Sequence, residues 1–333
     1  MKVTAPISSI KEIEMLIELG ADELYCGFNT DTWQKKFGVC KINRREPKGA
    51  CINSELELLC IVKTAHKNNI LVSVAFNSPF YTAEGISYLL TLIEKLIKEI
   101  SIDSVIISDI NLLIALFKKK IPINIHISSL GNCFNSETAA FYKEFGVKRI
   151  ILPRQLNFYE IKEIVKNTDK KIEFEVFALN DGCYYEEGFC LTSHTPEAFC
   201  MTEYQLENSE FAKKKTEERK LKNLKKELNS YLWHQNNCGS SYQKNGFPNG
   251  PCSCCLFGNF KDIGISALKI VGREASFYRK MTSLKMVKTV LDKAASGAGN
   301  KEIAEFAKKM RNTEKYCDTG YVCYFGAGNI SDK

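Results

Sequence analysis

The sequence predicts an α/β fold, a (β/α)8 TIM-like barrel, from three observations. Eight short segments rich in apolar and β-branched residues recur along the first 271 residues, and apolar residues return at helical spacing between most of them. Regular alternation of strand and helix favours parallel pairing with right-handed crossovers, and eight such units favour a closed barrel. A doubly wound open sheet is the alternative, but no glycine-rich turn follows the first segment, as that fold would more often show.

The predicted strands and helices alternate in chain order. The strands cover residues 2–5, 23–27, 70–77, 104–108, 123–128, 149–152, 172–178 and 267–271. The helices between them cover residues 7–19, 54–67, 83–100, 111–118, 136–145 and 158–166. Gly20 is expected to end the first helix, and Asn53 or Ser54 to cap the second. The polar stretch 29–48 is too long for a plain turn, so it is predicted to be a functional loop or excursion.

The alternation breaks between the seventh and eighth strands. Residues 202–233 are charged and helical in pattern, and a glycine-rich segment then runs to Gly250. This insertion, 202–250, is flanked by cysteines. Residues 274–310 are again helical in pattern, with a break near 296–300. We therefore expect a barrel over 1–290 that includes the insertion, and a helical carboxyl-terminal extension over 291–333 with a cysteine-containing tail.

Composition and charge exclude some classes of protein. The chain has 333 residues, of which 44% are hydrophobic, enough to bury a full core. No apolar run reaches the roughly 20 residues that span a bilayer, and no signal-peptide core is present, so the expected location is the cytoplasm. The net charge of +7 does not by itself indicate nucleic acid. The lysines of the insertion suit an RNA backbone, but interleaved glutamates favour a solvated helix of mixed charge.

Fourteen cysteines indicate metal, cluster or redox chemistry in a cytosolic chain. Cys183 and Cys190 directly follow the seventh predicted strand, so they are expected at the carboxyl end of the barrel, where the sites of such folds lie. Cys252, Cys254 and Cys255 form a second group before the last strand. Soft thiolates suit an iron–sulfur cluster or zinc.

The segment around Cys183 carries a recognisable signature. Its six positions are Glu175, Phe177, Cys183, Gly188, Cys190 and Ser193. With these residues the chain resembles the collagenase-like peptidase family of unknown mechanism, family thirty-two. Residues 20–27, 129–161 and 268–274 resemble further segments of that family, so the similarity spans roughly residues 1–290. The chain departs from the family pattern at 180–182, at Gln155 and at Val271.

The resemblance implies a four-iron, four-sulfur cluster held by four cysteines. It also implies oxygen-independent hydroxylation of a small molecule, such as a ubiquinone precursor, or of RNA, with prephenate as the oxygen source. Cys183 and Cys190 are expected to be two of the ligands. The third ligand is expected to be either Cys200 or Cys238. Cys255 is favoured as the fourth ligand, and Cys252 is the next candidate for it. Some family members work as heterodimers, so a related chain is a possible partner.

Three further residues are candidates for the chemistry. Arg154 follows the sixth predicted strand, where a guanidinium suits a carboxylate such as those of prephenate. His126, near the end of the fifth strand, is a candidate proton donor, although a single strand histidine is more often a satisfied core residue. Glu175 lies in the seventh strand, and a buried carboxylate there would need Arg149 or Lys269 as a partner. Arg273 is expected to pack the end of the final strand.

Other readings of the same residues stay open. Zinc is the alternative metal, because Cys190 with His194, and Cys252 with Cys255, have zinc-like spacing. Cys317 and Cys323 in the tail suit a second site, a redox pair or no ligand at all. A peptidase is the alternative enzyme, although the HExxH and GxSxG motifs are absent and only a cysteine–histidine pair would serve. A non-catalytic partner stabilised by metal is the third reading.

Overall fold

A closed barrel of eight parallel strands forms the centre of the computed structural model, which describes residues 1–37, 41–45, 47–180, 215–236, 246–248, 250–317 and 323–325. The strands are β1 (Lys2–Pro6), β2 (Glu23–Phe28), β3 (Cys51–Ile52), β4 (Leu71–Phe76), β5 (Ser104–Ile107), β6 (Asn124–Ile127), β7 (Val147–Ile151), β8 (Glu173–Leu179) and β9 (Ala267–Ile270). β1 pairs with both β9 and β2, which closes the ring, and β3 pairs with the end of β2 from outside it. The predicted TIM-like fold class is confirmed.

Helices cover the outside of the barrel. They are α1 (Ile13–Glu18), α2 (Asp31–Phe37), α3 (Pro47–Ala50), α4 (Glu55–Lys67), α5 (Ala83–Lys95), α6 (Ile110–Lys118), α7 (Ser136–Glu144), α8 (Phe158–Asn167), α9 (Lys215–Asn236), α10 (Phe257–Ile263), α11 (Phe277–Ala295), α12 (Asn300–Arg311) and α13 (Glu314–Cys317). Side-chain hydrogen bonds cap the first turn of several of these helices. Ser54, one of the two predicted caps, accepts a hydrogen bond from the backbone N–H of Glu57, which satisfies a donor at the start of α4.

The predicted excursion 29–48 contains a helix, α2, that the sequence pattern did not reveal. Trp33 is buried in it, and its ring contacts Phe37 and Tyr81 at centroid distances of 4.4 and 5.8 Å. A helix this short gains its stability from such tertiary contacts and not from its own periodicity. The same reason applies to α10, which the sequence did not predict and which buries Phe257 and Phe260.

The inside of the barrel is layered. Side chains two residues apart on a strand point the same way, so Glu23 and Tyr25 on β2 both face inward at successive levels. A charged layer in the middle of the barrel contains Glu23, Arg149 and Glu175. Towards the carboxyl ends of the strands, this layer is covered by a second, apolar layer. The apolar layer consists of Tyr25, Ala75, Ile106, Ile151, Phe177 and Val271.

The described parts of the insertion and of the carboxyl-terminal extension are mainly helical. Helix α9 overlaps the predicted helical part of the insertion, 202–233, and ends three residues beyond it. Helices α11 and α12 pack on the barrel through buried residues such as Leu284 and Ile303, with a break between them close to the predicted one. The predicted domain division after residue 290 stays a prediction. Within the described ranges, no helix has the length and apolar character needed to cross a membrane.

Candidate functional site

The candidate site lies at the carboxyl end of the barrel, around the end of β8. Asn180 follows β8 with a φ of 72°, a left-handed conformation. Its side-chain amide donates to Ser283 Oγ over 2.9 Å, and its oxygen accepts from Arg279 over 3.0 Å. The predicted ligands Cys183, Cys190, Cys200 and Cys238 lie outside the described residues, as does His194.

Cysteines from two distant parts of the chain meet beside Asn180. Cys252 forms an antiparallel bridge with Leu179 on one side and a parallel bridge with Cys323 of the tail on the other. The backbone N–H of Tyr324 also donates to the Cys252 carbonyl over 3.4 Å. The predicted cysteine group at 252–255 and the tail cysteines therefore belong to one region. We call Cys252, Cys254, Cys255, Cys317 and Cys323 the thiol group.

Arg311 is the cation of the thiol group, a role that sequence reasoning missed. Its side chain is 1% exposed, and Nη1 donates to Cys252 Sγ over 2.8 Å while Nη2 donates to the Gly250 carbonyl. A hydrogen bond from Cys254 and the charge of Arg311 outweigh burial and lower the pKa of Cys252 to about 6. The same contact, with burial, raises the pKa of Cys254. Cys252 is therefore the thiolate of this pair at neutral pH, and Cys254 keeps its proton.

Cys255 and Cys317 are protonated in this arrangement. Burial raises the pKa of both Cys255 and Cys317, and the Thr313 hydroxyl lies 3.2 Å from Cys317 Sγ. Cys255 interacts electrostatically with Cys252, Cys317 and Cys323, so the thiols share one environment. This donor set fits a soft metal. In the part of the chain that the structure describes, no three His, Cys, Asp or Glu side chains are already arranged as a metal site.

Arg154 lies at the mouth of the barrel, as expected from its place after the sixth barrel strand. Its guanidinium stacks on Phe177, with Cζ 4.3 Å from the ring centroid. Tyr324 of the tail packs on Phe177 from 6.0 Å, and its hydroxyl donates to the Asn180 carbonyl. A small cavity is lined by Arg154, Phe177, Tyr324 and neighbouring apolar side chains. The tail therefore contributes an aromatic wall to this cavity, which sequence reasoning missed.

Glu175 and His126 lie one level deeper, in the charged layer. Glu175 accepts from Lys269 Nζ over 3.0 Å and from Arg149 Nη1 over 3.4 Å, so both predicted partners are present. Burial and the charge of Arg149 lower the pKa of His126 to about 3, which leaves its imidazole neutral near pH 7. The apolar layer with Tyr25 and Phe177 covers both residues towards the mouth. Their predicted catalytic roles stay predictions.

The chain is similar to several known proteins. The family model described as Peptidase family U32 matches residues 8–330. An uncharacterized protease of Methanocaldococcus jannaschii is 29% identical over 199 residues, 58% of this chain and 44% of that protein. The tRNA hydroxylation protein P of Escherichia coli is 27% identical over 192 residues, 58% of this chain and 39% of that protein. The matches thus span less than half of these relatives. A solved U32 peptidase structure aligns with a TM-score of 0.48 at 12% identity, covering 82% of this chain and 94% of the other.

Proposed function

The chain belongs to peptidase family U32, and from this membership we propose that it is an iron–sulfur-dependent, oxygen-independent hydroxylase or a subunit of one. A similar protein of Escherichia coli carries the name tRNA hydroxylation protein P, which supports a hydroxylation of RNA or of a small molecule. The proposal includes a cytoplasmic location and prephenate as the oxygen donor. It also allows a heterodimer with a related chain.

The observation that carries the proposal is the buried contact between Arg311 and Cys252. A fully buried guanidinium requires an anionic or strongly polar partner, and here that partner is a thiolate beside four more thiols. Thiolates are the ligands that iron–sulfur clusters use. Cys252 is therefore the described residue best prepared to hold a cluster, with Cys255, the residue favoured from sequence, next to it. Cys183, Cys190 and either Cys200 or Cys238 would be the other three ligands, with one of Cys252 and Cys255 as the fourth.

The residues around the thiol group suit a small anionic co-substrate. A bound [4Fe–4S] cluster would supply one-electron transfer at the mouth of the barrel. Arg154, held against Phe177, would orient a carboxylate of the co-substrate. Tyr324 and Phe325 cover the cavity beside Arg154, which limits the access of water there.

Anaerobic purification followed by iron and sulfide analysis tests the proposal. We expect roughly four irons and four acid-labile sulfides per chain, with a broad visible absorption band. Cys252→Ser is expected to lose most of both, because serine offers no soft thiolate. Cys60→Ser is the matched control: Cys60 lies exposed on α4, away from the mouth, so its replacement should leave the iron content unchanged.

A colourless chain without iron or sulfide after this purification would refute the cluster. Zinc without sulfide would instead make the thiol group a structural metal site and favour a non-catalytic partner.

A peptidase is the second candidate, and the name of the protease from Methanocaldococcus jannaschii favours it. A cysteine peptidase needs a histidine within hydrogen-bond reach of its thiolate. Among the histidines whose side chains the structure describes, His66 bonds to Asp103 on the surface, and His126 lies in the charged layer. Peptide cleavage by the iron-free chain that is lost in Cys252→Ser but kept in Cys60→Ser would support this candidate over the hydroxylase.

A further inference from the structure

Arg273 lies at the end of the final strand, where it was expected to pack, and its side chain is buried there. It follows β9 after Gly272, whose φ of 111° lets the chain turn back over the mouth of the barrel. Its side chain reaches Gly27 on β2, and Nη2 donates to Asn43 Oδ1, in the segment 41–45, over 3.1 Å. Arg273 is 5% exposed and Asn43 is fully buried. A cationic group is thus enclosed at the open end of the barrel.

One end of this guanidinium is without a partner. Nη1 of Arg273 is buried and makes no hydrogen bond to any group among the residues that the structure describes. It occupies the space that a Cβ on Gly27 would fill, with Cys51 Sγ beside it. Glycine at position 27 is therefore what lets the guanidinium reach the barrel axis. An unsatisfied buried N–H of a charged group is costly, which points to an acceptor that binds there.

Among the residues that the structure describes, the groups next to Arg273 do not supply that acceptor as an anion. The carboxylate of Glu274, next in the chain, turns to Arg45, 2.6 Å away. Burial raises the pKa of the Cys51 thiol, so that side chain is neutral near pH 7. Asn43 is uncharged, and its Oδ1 already accepts from Arg273 and from the backbone N–H of Arg45. The positive charge of Arg273 is therefore left to a ligand.

We propose that Arg273, held by Asn43 over Gly27, is a carboxylate-binding subsite for a small-molecule ligand at the mouth of the barrel. A guanidinium with a free edge presents N–H groups that match a planar carboxylate. Its enclosure favours a small planar anion over a bulky one. Arg154 stands at the same end of the barrel on the β7 side, so a ligand with two carboxylates would be held from both sides. The subsite does not depend on the cluster of the proposed function.

Carboxylate binding to the whole chain tests this subsite. The probes are malonate and succinate, each compared with its diamide, and binding is measured by calorimetry. Arg273→Gln is expected to raise the Kd of the dicarboxylates about tenfold or more and to leave the weak binding of the diamides unchanged. Gly27→Ala is the second variant. It keeps the charge but adds a Cβ where Nη1 lies, so it should also weaken carboxylate binding.

Arg45→Gln is the matched control. Arg45 lies in the same segment as Asn43, but its guanidinium already has a carboxylate partner, Glu274. Its Kd for the dicarboxylates should stay within about twofold of the unchanged chain. Equal dicarboxylate affinity in Arg273→Gln and the unchanged chain would refute the subsite. Tighter binding of inorganic phosphate than of either dicarboxylate would refute the assignment to carboxylates.

The iron content of each variant separates this inference from the proposed function. An iron-free chain that still binds dicarboxylates through Arg273 would keep the subsite and reject the cluster. A chain with its full iron content that binds no dicarboxylate would keep the cluster and reject the subsite. Melting temperatures of all three variants show whether a lost affinity reflects unfolding.

Discussion

Replacement of Arg149 by methionine is expected to lower the free energy of unfolding by about 3–5 kcal/mol at neutral pH. Arg149 donates hydrogen bonds to Glu23, Glu173 and Glu175, and its Nη2 lies 3.0 Å from Glu23 Oε1. Glu23 and Glu175 are only 3% and 1% exposed. Removal of the guanidinium leaves these carboxylates buried with too few cations, and a buried unpaired charge is among the most destabilising changes in a protein.

The loss of unfolding free energy in Arg149→Met should depend on pH in a defined direction. Burial alone would raise the pKa of Glu23, but Arg149 and Lys2 lower it to about 2, below its ordinary value of 4.5. Because the pKa is depressed in the folded state, the stabilisation is fully present above pH 4.5 and is lost as the pH falls towards 2. The difference between Arg149→Met and the unchanged chain should therefore shrink over that range. Urea unfolding at several pH values measures it.

Lys148→Met is the control for this experiment. Lys148 neighbours Arg149 on β7 but is half-exposed, with its Nζ 3.2 Å from Glu173. An exposed ion pair contributes less than about 1 kcal/mol, so this variant should unfold almost like the unchanged chain. Similar losses in both variants would mean that the charged layer is not what stabilises the barrel.

Replacement of Arg311 by methionine is the second change with a large expected effect. It should lower the free energy of unfolding by about 3 kcal/mol near pH 8 and reduce the iron content of the purified chain. Arg311 joins the end of α12 to the Gly250 carbonyl and to Cys252 Sγ, so its loss leaves the Cys252 thiolate buried without its cation. Urea unfolding of the iron-free chain separates the stability effect from metal binding.

The sign of the pH dependence again follows from the folded-state pKa. The pKa of Cys252 is lowered to about 6 from an ordinary 9, so its stabilisation is complete above pH 9 and is lost as the pH falls through 6. The destabilisation by Arg311→Met should therefore grow between pH 6 and 9. Lys309→Met, on an exposed position of α12, is the control and should show no such trend. A loss that stays constant from pH 6 to 9 would contradict the thiolate assignment.

The barrel was predictable from sequence because its strands are local, apolar and regularly spaced. All eight barrel strands lie close to their predicted bounds, and β7 begins two residues earlier than expected. Helices α2 and α10 were missed because contacts with distant residues, such as Trp33 with Tyr81, stabilise them. Local periodicity carries no information about such contacts.

The candidate site was predictable only in part. The partners of Glu175 followed from charge alone, since a buried carboxylate needs a cation on a nearby strand and Lys269 lies on the adjacent β9. The meeting of Cys252 with Cys323 and Arg311 depends on how α11 and α12 fold back, which sequence spacing does not encode. The predicted ligands Cys183, Cys190, Cys200 and Cys238 lie outside the described ranges, so they stay predictions.

The contact between Glu23 and Arg149 joins β2 to β7, which lie on different halves of the ring. The two residues are 126 positions apart in the chain. The first four barrel strands would carry Glu23 without its guanidinium, and the last four would carry Arg149 without that carboxylate. A half-barrel intermediate would therefore hold charges that Lys2, or Glu173 and Glu175, neutralise only in part, where its sheet must be covered. Such charges disfavour independent half-barrels, so the ring should fold and unfold as one cooperative unit whose closing contacts, of high sequence separation, form late.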